Sequence, residues 1–235
     1  MKVYKVILAI SMMLFSSASF SASIPFDVNA GTLTTGNKYA GGINLVLDGK
    51  TMNHVGGGNI LNSVLDGKSL AYAYCIDILH SIGLRSTYSA NYNNKADFSD
   101  RPELTEENGG KIAWLILNIA ETAVKKYQQA GLQALIWEQV YGASRFTLEA
   151  STNDRIEAAY QKYSAALVGN TASVNSVLWI DPYSGSTSKQ DLVAWGEGFN
   201  LEGSASVPAP EPMLLLVLGL LGLTIVSRKA IRGNV

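Results

Sequence analysis

Cysteine is almost missing from this chain of 235 residues: Cys75 stands alone, and histidine is nearly as rare, with only His54 and His80. One thiol cannot close an internal disulfide. In an oxidising compartment it must be buried and inert, paired with another molecule, or committed to a group other than sulfur. A zinc site drawn from Cys75, Asp77, His54 and His80 lacks the usual paired ligand spacing, and neither histidine carries a local signature of a cysteine protease. Charge is sparse as well, with 18 Lys and Arg against 19 Asp and Glu, so there is no basic excess to hold nucleic acid. The carboxylates are scattered, with no pair that stands out for glycoside hydrolysis. The acidic run Glu103, Glu106 and Glu107 is expected to favour the N-terminus of a following helix.

Long hydrophobic runs are also lacking. Val6 to Phe15 is too short to cross about 30 Å of hydrocarbon, and it follows Lys2 and Lys5 and precedes the small-residue run Ser16 to Ser23. That order reads as a secretory signal peptide, residues 1–22, to be removed by signal peptidase. The other end is built in reverse: Val207-Pro208-Ala209-Pro210-Glu211-Pro212, then the apolar stretch Met213 to Val226, then Arg228, Lys229 and Arg232. At about 1.5 Å per residue this stretch is marginal as a permanent span. The basic cluster is expected to stay in the cytoplasm and leave the body outside the inner membrane. Pro208, Pro210, Glu211 and Pro212, a short transmembrane helix and a basic tail together resemble the PEP-CTERM sorting signal. The resemblance implies cleavage by an exosortase-type membrane protease in a Gram-negative bacterium that makes exopolysaccharide; a plain C-terminal anchor is the simpler alternative. Removing the signal and the basic tail leaves 13 basic and 19 acidic side chains, a net charge of −6 if Glu211 is retained, which suits a body that stays soluble outside the cell.

Between the ends, at residues 23–199, the hydrophobic period changes twice. Up to about Arg101 the runs are short or alternating, as in Ile43 to Leu47, Ile60 to Leu65 and Leu70 to Ile78, and turn dipeptides Asp48-Gly49 and Asp66-Gly67 separate them. Gly56-Gly57-Gly58 is expected to break any regular element. Val-Leu-Asp-Gly-Lys occurs at Val46 to Lys50 and again at Val64 to Lys68, which reads as two similar strand ends and turns. Ile112, Leu115, Ile116, Ile119 and Ala123 then share one face of a helix that starts near Asn108 to Gly110 and closes at Lys125 or Lys126. A second helix runs from Tyr127 or Gln128 to Tyr141, and a third starts at Ser151 and ends at Gly169 or Asn170. Ser176 to Ile180 and Asp191 to Trp195 read as returning strands. The order predicts an α+β domain, an antiparallel sheet or sandwich core with a three-helix insertion, and a linker over residues 200–206 before the sorting signal at 207–235.

Two short segments carry the chemistry. Tyr74-Cys75-Ile76-Asp77 and Leu132-Gln133-Ala134-Leu135-Ile136-Trp137 together resemble the internal-thioester domains of bacterial surface adhesins. In that family the second motif is commonly Thr-Gln-x-Ala-Ile-Trp; this chain keeps Gln133, Ile136 and Trp137 but has Leu132 and Leu135 where threonine and alanine are usual. By resemblance Cys75 is the thiol donor and Gln133 the acyl donor, while Tyr74, Asp77 and Trp137 match the motif as supporting residues. A thioester forms when a thiolate attacks the carboxamide and ammonia leaves, so the fold must position the two groups and exclude water. Trp137, one turn after Gln133, is placed to shield the bond. The alternatives for each residue alone are ordinary: a solitary cysteine is usually a small buried hydrophobe, and a helical glutamine a surface residue.

The expected function is a self-modifying, single-use tether that captures an amine or hydroxyl on an extracellular protein or polysaccharide, without cofactor, metal or turnover. Adhesion or attachment in a biofilm matrix would be its purpose. The alternative is a noncovalent structural or carbohydrate-binding matrix protein, with Tyr88, Tyr92, Trp179, Tyr183 and Trp195 as sugar platforms.

Overall fold

Two-residue hairpins of type I′ need positive φ at both central residues, and the Asp-Gly dipeptides supply it. Asp48 and Gly49 sit at φ 51° and 75°, and Asp66 and Gly67 at 49° and 76°. They join β2 (Gly41–Leu47) to β3 (Lys50–Gly57) and β4 (Val64–Leu65) to β5 (Lys68–Ser69), with Leu47 opposite Lys50 and Leu65 opposite Lys68. The repeated pentapeptide is therefore one turn used twice. The computed structural model describes residues 28–36, 41–95, 104–149, 152–199 and 201, all of them within one compact unit, Ala22–Glu202.

The remaining strands are β1 (Asn29–Thr34), β6 (Tyr72–Cys75), β7 (Thr87–Asn93), β8 (Phe146–Leu148), β9 (Leu178–Ser184), β10 (Thr187–Ser188) and β11 (Leu192–Trp195). They build a larger sheet in the order β5-β4-β1-β7-β9-β11-β6, with β10 beside β9, and a smaller one in the order β3-β2-β8. Every pairing described is antiparallel. Strands β7 and β9 are direct neighbours, yet three helices and β8 lie between them in sequence. The architecture is α+β, antiparallel sheets with a helical insertion. Alternation along β2 turns Ile43, Leu45 and Leu47 into the core.

The helices depart from their expected ends for local reasons. Helix α1 (Glu106–Asn118) opens on Thr105, whose hydroxyl accepts the Asn108 N–H at 3.2 Å, with Glu106 and Glu107 in the first turn. It stops at Ile119 instead of reaching Lys125. Residues 119–124 form turns in which the Thr122 hydroxyl donates to the Ile119 carbonyl. Lys125 instead caps α2 (Lys126–Tyr141), donating its N–H to Gln128 Oε1 at 2.9 Å. The lysines open the second helix; they do not close the first. Helix α3 (Asp154–Leu167) is capped by Asn153, which accepts from the Arg155 N–H, while the expected start at Ser151 lies outside the described residues. Ile60 to Ser63, expected in a strand, forms a turn before β4, held by Ser63 Oγ donating to the Ile60 carbonyl.

Helix α2 is the central strut. Residues 130–137 are buried on every face, a pattern that removes the amphipathic stripe of a surface helix. It packs on α1, α3, β2, β3, β6 and β8. Gly131 sets its distance from α3, because a Cβ there would stand 2.8 Å from Ala159 Cβ and from Tyr160 N. Among the described residues no helix is long and apolar enough to cross a membrane. The expected signal peptide, the linker apart from Leu201, and the sorting signal with Pro208, Pro210, Glu211, Pro212, Arg228, Lys229 and Arg232 lie outside the described residues.

Candidate functional site

Strand β6 ends the larger sheet, so one side of its backbone faces away from any further strand. An exposed or buried edge of this kind needs partners for its N–H and C=O groups. On the inner side β6 pairs with β11, placing Cys75 opposite Leu192. On the outer side two side-chain amides take the place of a strand. Asn59 Oδ1 accepts the Ala73 N–H at 2.9 Å, while the Ile60 N–H reaches the Ala73 carbonyl at 2.9 Å. One step along, Gln133 repeats the arrangement: its Oε1 accepts the Cys75 N–H at 3.0 Å, and its Nε2 donates to the Cys75 carbonyl at 2.6 Å. The carboxamide thus mimics one residue of an antiparallel neighbour, exchanging both hydrogen bonds with Cys75.

A third donor completes the grip. Gly58, at φ 115°, turns its N–H toward Gln133 Oε1 at 3.3 Å. Gln133 is fully buried and Cys75 is 4% exposed. The buried amide is satisfied by these backbone groups, so its burial does not by itself require a covalent partner. What the arrangement does chemically is polarise the carbonyl: two N–H groups point at the oxygen that would take up negative charge if a nucleophile added to the adjoining carbon.

The triple glycine is part of the site and not a mere break. Strand β3 continues through Gly57, where a Cβ would lie 2.6 Å from Gln133 Cγ, 2.9 Å from Ile43 Cδ1 and 3.1 Å from the tip of Trp137. Glycine lets β3 lie directly on the glutamine. Trp137, fully buried one turn along α2, closes the same side; its Nε1 finds no hydrogen-bond partner among the described residues, so shape holds it there. Leu132 and Leu135, the two departures from the usual motif, are both buried in the core.

Asp77 and His80 extend the site. Asp77 is 7% exposed; its Oδ1 accepts from the Leu79 N–H at 2.7 Å and from the Tyr141 hydroxyl at 3.3 Å, and its Oδ2 pairs with His80 Nδ1. Tyr141 in turn accepts the Ile78 N–H, and Gln190 donates to the Asp77 carbonyl. His80 and Cys75 line one cavity of about 280 Å³ with Gly56, Gly57 and Gln190. Burial, and secondarily the nearby Asp77 carboxylate, pushes the Cys75 thiol up to about 12.

No protein-family model and no curated protein matches the chain. Among solved structures it is similar to the thioester domain of the Staphylococcus aureus TIE protein, at a TM-score of 0.41 and 12% identity, over 70% of this chain and 92% of that one.

The structure brings Cys75, Gln133, Asp77 and Trp137 together and adds Gly57, Gly58 and Tyr141, which the motifs did not single out. Tyr74 points to the opposite face of β6 from Cys75, where it is fully buried and burial raises its hydroxyl's pKa. His54 is on the exposed side of β3 at φ 55°, and it does not line the cavity. Among the described residues no three His, Cys, Asp or Glu side chains cluster to hold a metal ion. Of the aromatics considered as sugar platforms, Trp179 is buried and donates to the Val174 carbonyl, Trp195 stacks on Tyr72, and Tyr92 bonds Asp66. Tyr88 accepts the Gly83 N–H, and Tyr183 is half-buried in β9.

Proposed function

We propose that this protein is an exported, single-use covalent tether whose Cys75 and Gln133 condense to an internal thioester. The observation that carries this reading is the docking of the Gln133 carboxamide on the backbone of Cys75 itself. In the reaction the sulfur adds to Gln133 Cδ, charge gathers on Oε1 between the Cys75 and Gly58 N–H groups, the C–N bond breaks, and ammonia leaves. Held reactants avoid on the order of 7 to 11 kcal/mol of barrier, enough to make an unactivated amide a usable acyl donor. The acyl group then passes to an amine or hydroxyl on an extracellular protein or polysaccharide, and Cys75 is released as a thiol. No cofactor takes part, and the reaction does not turn over.

The sequence of the two ends supports an export route. Signal peptidase would remove residues 1–22, and an exosortase-type membrane protease would act at the PEP-CTERM-like signal, residues 207–235, delivering the body to the cell surface or the extracellular matrix. Intact-mass measurement on the purified body is the test. The expected mass is lower than that of the sequence by one ammonia, and full mass returns in Cys75→Ala and in Gln133→Ala. A wild-type body of full mass, with a thiol that alkylates under native conditions, refutes the proposal. Purified exopolysaccharide retained equally by Cys75→Ala would favour a noncovalent matrix protein instead.

A further inference from the structure

We infer that His80, held by Asp77, is the proton carrier for Cys75 when the proposed thioester forms and when it is opened. The inference rests on the thioester reading above and assigns to the site a residue pair outside the two reacting groups.

Three observations meet here. His80 and Cys75 line the same cavity, and the His80 side chain is 54% exposed, so the imidazole stands on the solvent side while the sulfur lies at the buried side. Asp77 is fixed by donors other than His80, the Leu79 N–H and the Tyr141 hydroxyl, with Tyr141 itself tied to the Ile78 N–H. A carboxylate clamped in this way takes Nδ1–H of the imidazole and leaves Nε2 as the acceptor, on a residue that lines the cavity. The chemistry then needs what this pair offers. Burial pushes the thiol well above its ordinary range, so at neutral pH it is protonated and needs a base to attack.

The protons balance in both directions. In formation, the Cys75 Sγ–H proton passes to His80 Nε2, sulfur bonds to Gln133 Cδ, and His80 returns the proton to the departing nitrogen, which leaves as ammonia. In opening, an amine adds to Cδ and gives a proton to His80; the C–S bond breaks, and the same proton is delivered to the sulfur. Without that delivery the leaving group would be a thiolate in a pocket that disfavours its charge. No oxidant, reductant or metal enters either step.

The test separates this role from the thioester itself. Bodies of wild type, His80→Ala and His80→Gln, recovered unfolded from inclusion bodies with Gln133 still an amide, are refolded; ammonia loss is followed by intact mass, and the reaction with methylamine is followed in the same way, with and without imidazole in the buffer. Because His80 is largely exposed, both variants should keep the wild-type circular dichroism. Expected is a slowing of both steps by about 10²-fold or more, typical of a lost general base, with partial recovery in imidazole. Wild-type rates in a folded His80→Ala overturn the assignment and leave the thioester standing; so does a slowed, folded variant that imidazole fails to rescue, because free imidazole cannot replace a packing role. A wild-type body that never loses ammonia overturns both.

Discussion

Replacing Gly57 with alanine tests whether a displacement of somewhat under an ångström at Gln133 governs the proposed condensation. The added Cβ would stand 2.6 Å from Gln133 Cγ, where ordinary contact begins at 3.4 Å, so glutamine or strand must yield by about 0.8 Å. Neither neighbour is free to do so: Gln133 is gripped by Cys75 and Gly58, and Ile43 and Trp137 already press on the same spot. Overpacking of this sort costs about 1–3 kcal/mol, which for a body of this size lowers Tm by about 2–12 °C. A misplacement near 1 Å can slow a positioned reaction by about 10²-fold. Ammonia loss on first folding of chains recovered unfolded, timed by intact mass, should slow by that order, while thermal melting reports the stability loss. Gly185→Ala is the control: with φ 60° and open space around it, strain costs about 1–2 kcal/mol far from the glutamine, and ammonia loss should keep its wild-type rate. Equal rates in Gly57→Ala and wild type would refute the claim that glycine at this position sets the reaction geometry.

Gln133→Met keeps the thiol and removes its proposed acyl partner. Its folded pKa, near 12, lies above that of the unfolded chain, so between about pH 9 and 12 the unfolded state has released a proton that the folded state keeps; stability is therefore full below pH 9 and falls as pH rises. Denaturant titrations should show an extra loss approaching about 1.4 kcal/mol per pH unit relative to Gln133→Met combined with Cys75→Ala, a comparison in which the tyrosines cancel. Gly131→Ala reverses the usual helix-propensity gain, because the methyl would meet the α3 backbone at 2.8–2.9 Å; a loss of about 1–3 kcal/mol in the same titration is expected. Tyr160→Phe removes the 2.6 Å bond to Glu138 between α3 and α2 and should cost about 1 kcal/mol with ammonia loss unchanged.

The hairpins and the change of period were readable because each rests on neighbours in sequence. Asp-Gly dictates its own turn, and the residues around Leu115 mark one face of α1. The end of α1 was not readable, since Ile119 and Ala123 continue the apolar period while residues 119–124 leave the helix; the cap on Lys125 depends on Gln128 and decides where the next begins. Helix α2 hides its orientation because every face of residues 130–137 is buried, so periodicity says nothing about which side meets β6. At the site, local motifs singled out Cys75 and Gln133, but the role of Gly57 and Gly58 exists only across the fold, between β3 and α2. Asp77 and His80 were visible as candidate metal or protease residues; their pairing is local, three residues apart in the bend after β6. Tyr141, from the far end of α2, could not.

The strand edge at Cys75 carries a last consequence. The residue that grips the glutamine is also the residue that supplies the nucleophile, so a slip of β6 by one position withdraws the sulfur and the clamp together. A chain with misregistered β6 cannot complete the proposed condensation. Release of ammonia would then act as a certificate of assembly, written once into the covalent structure and readable as a change in mass long after folding is over.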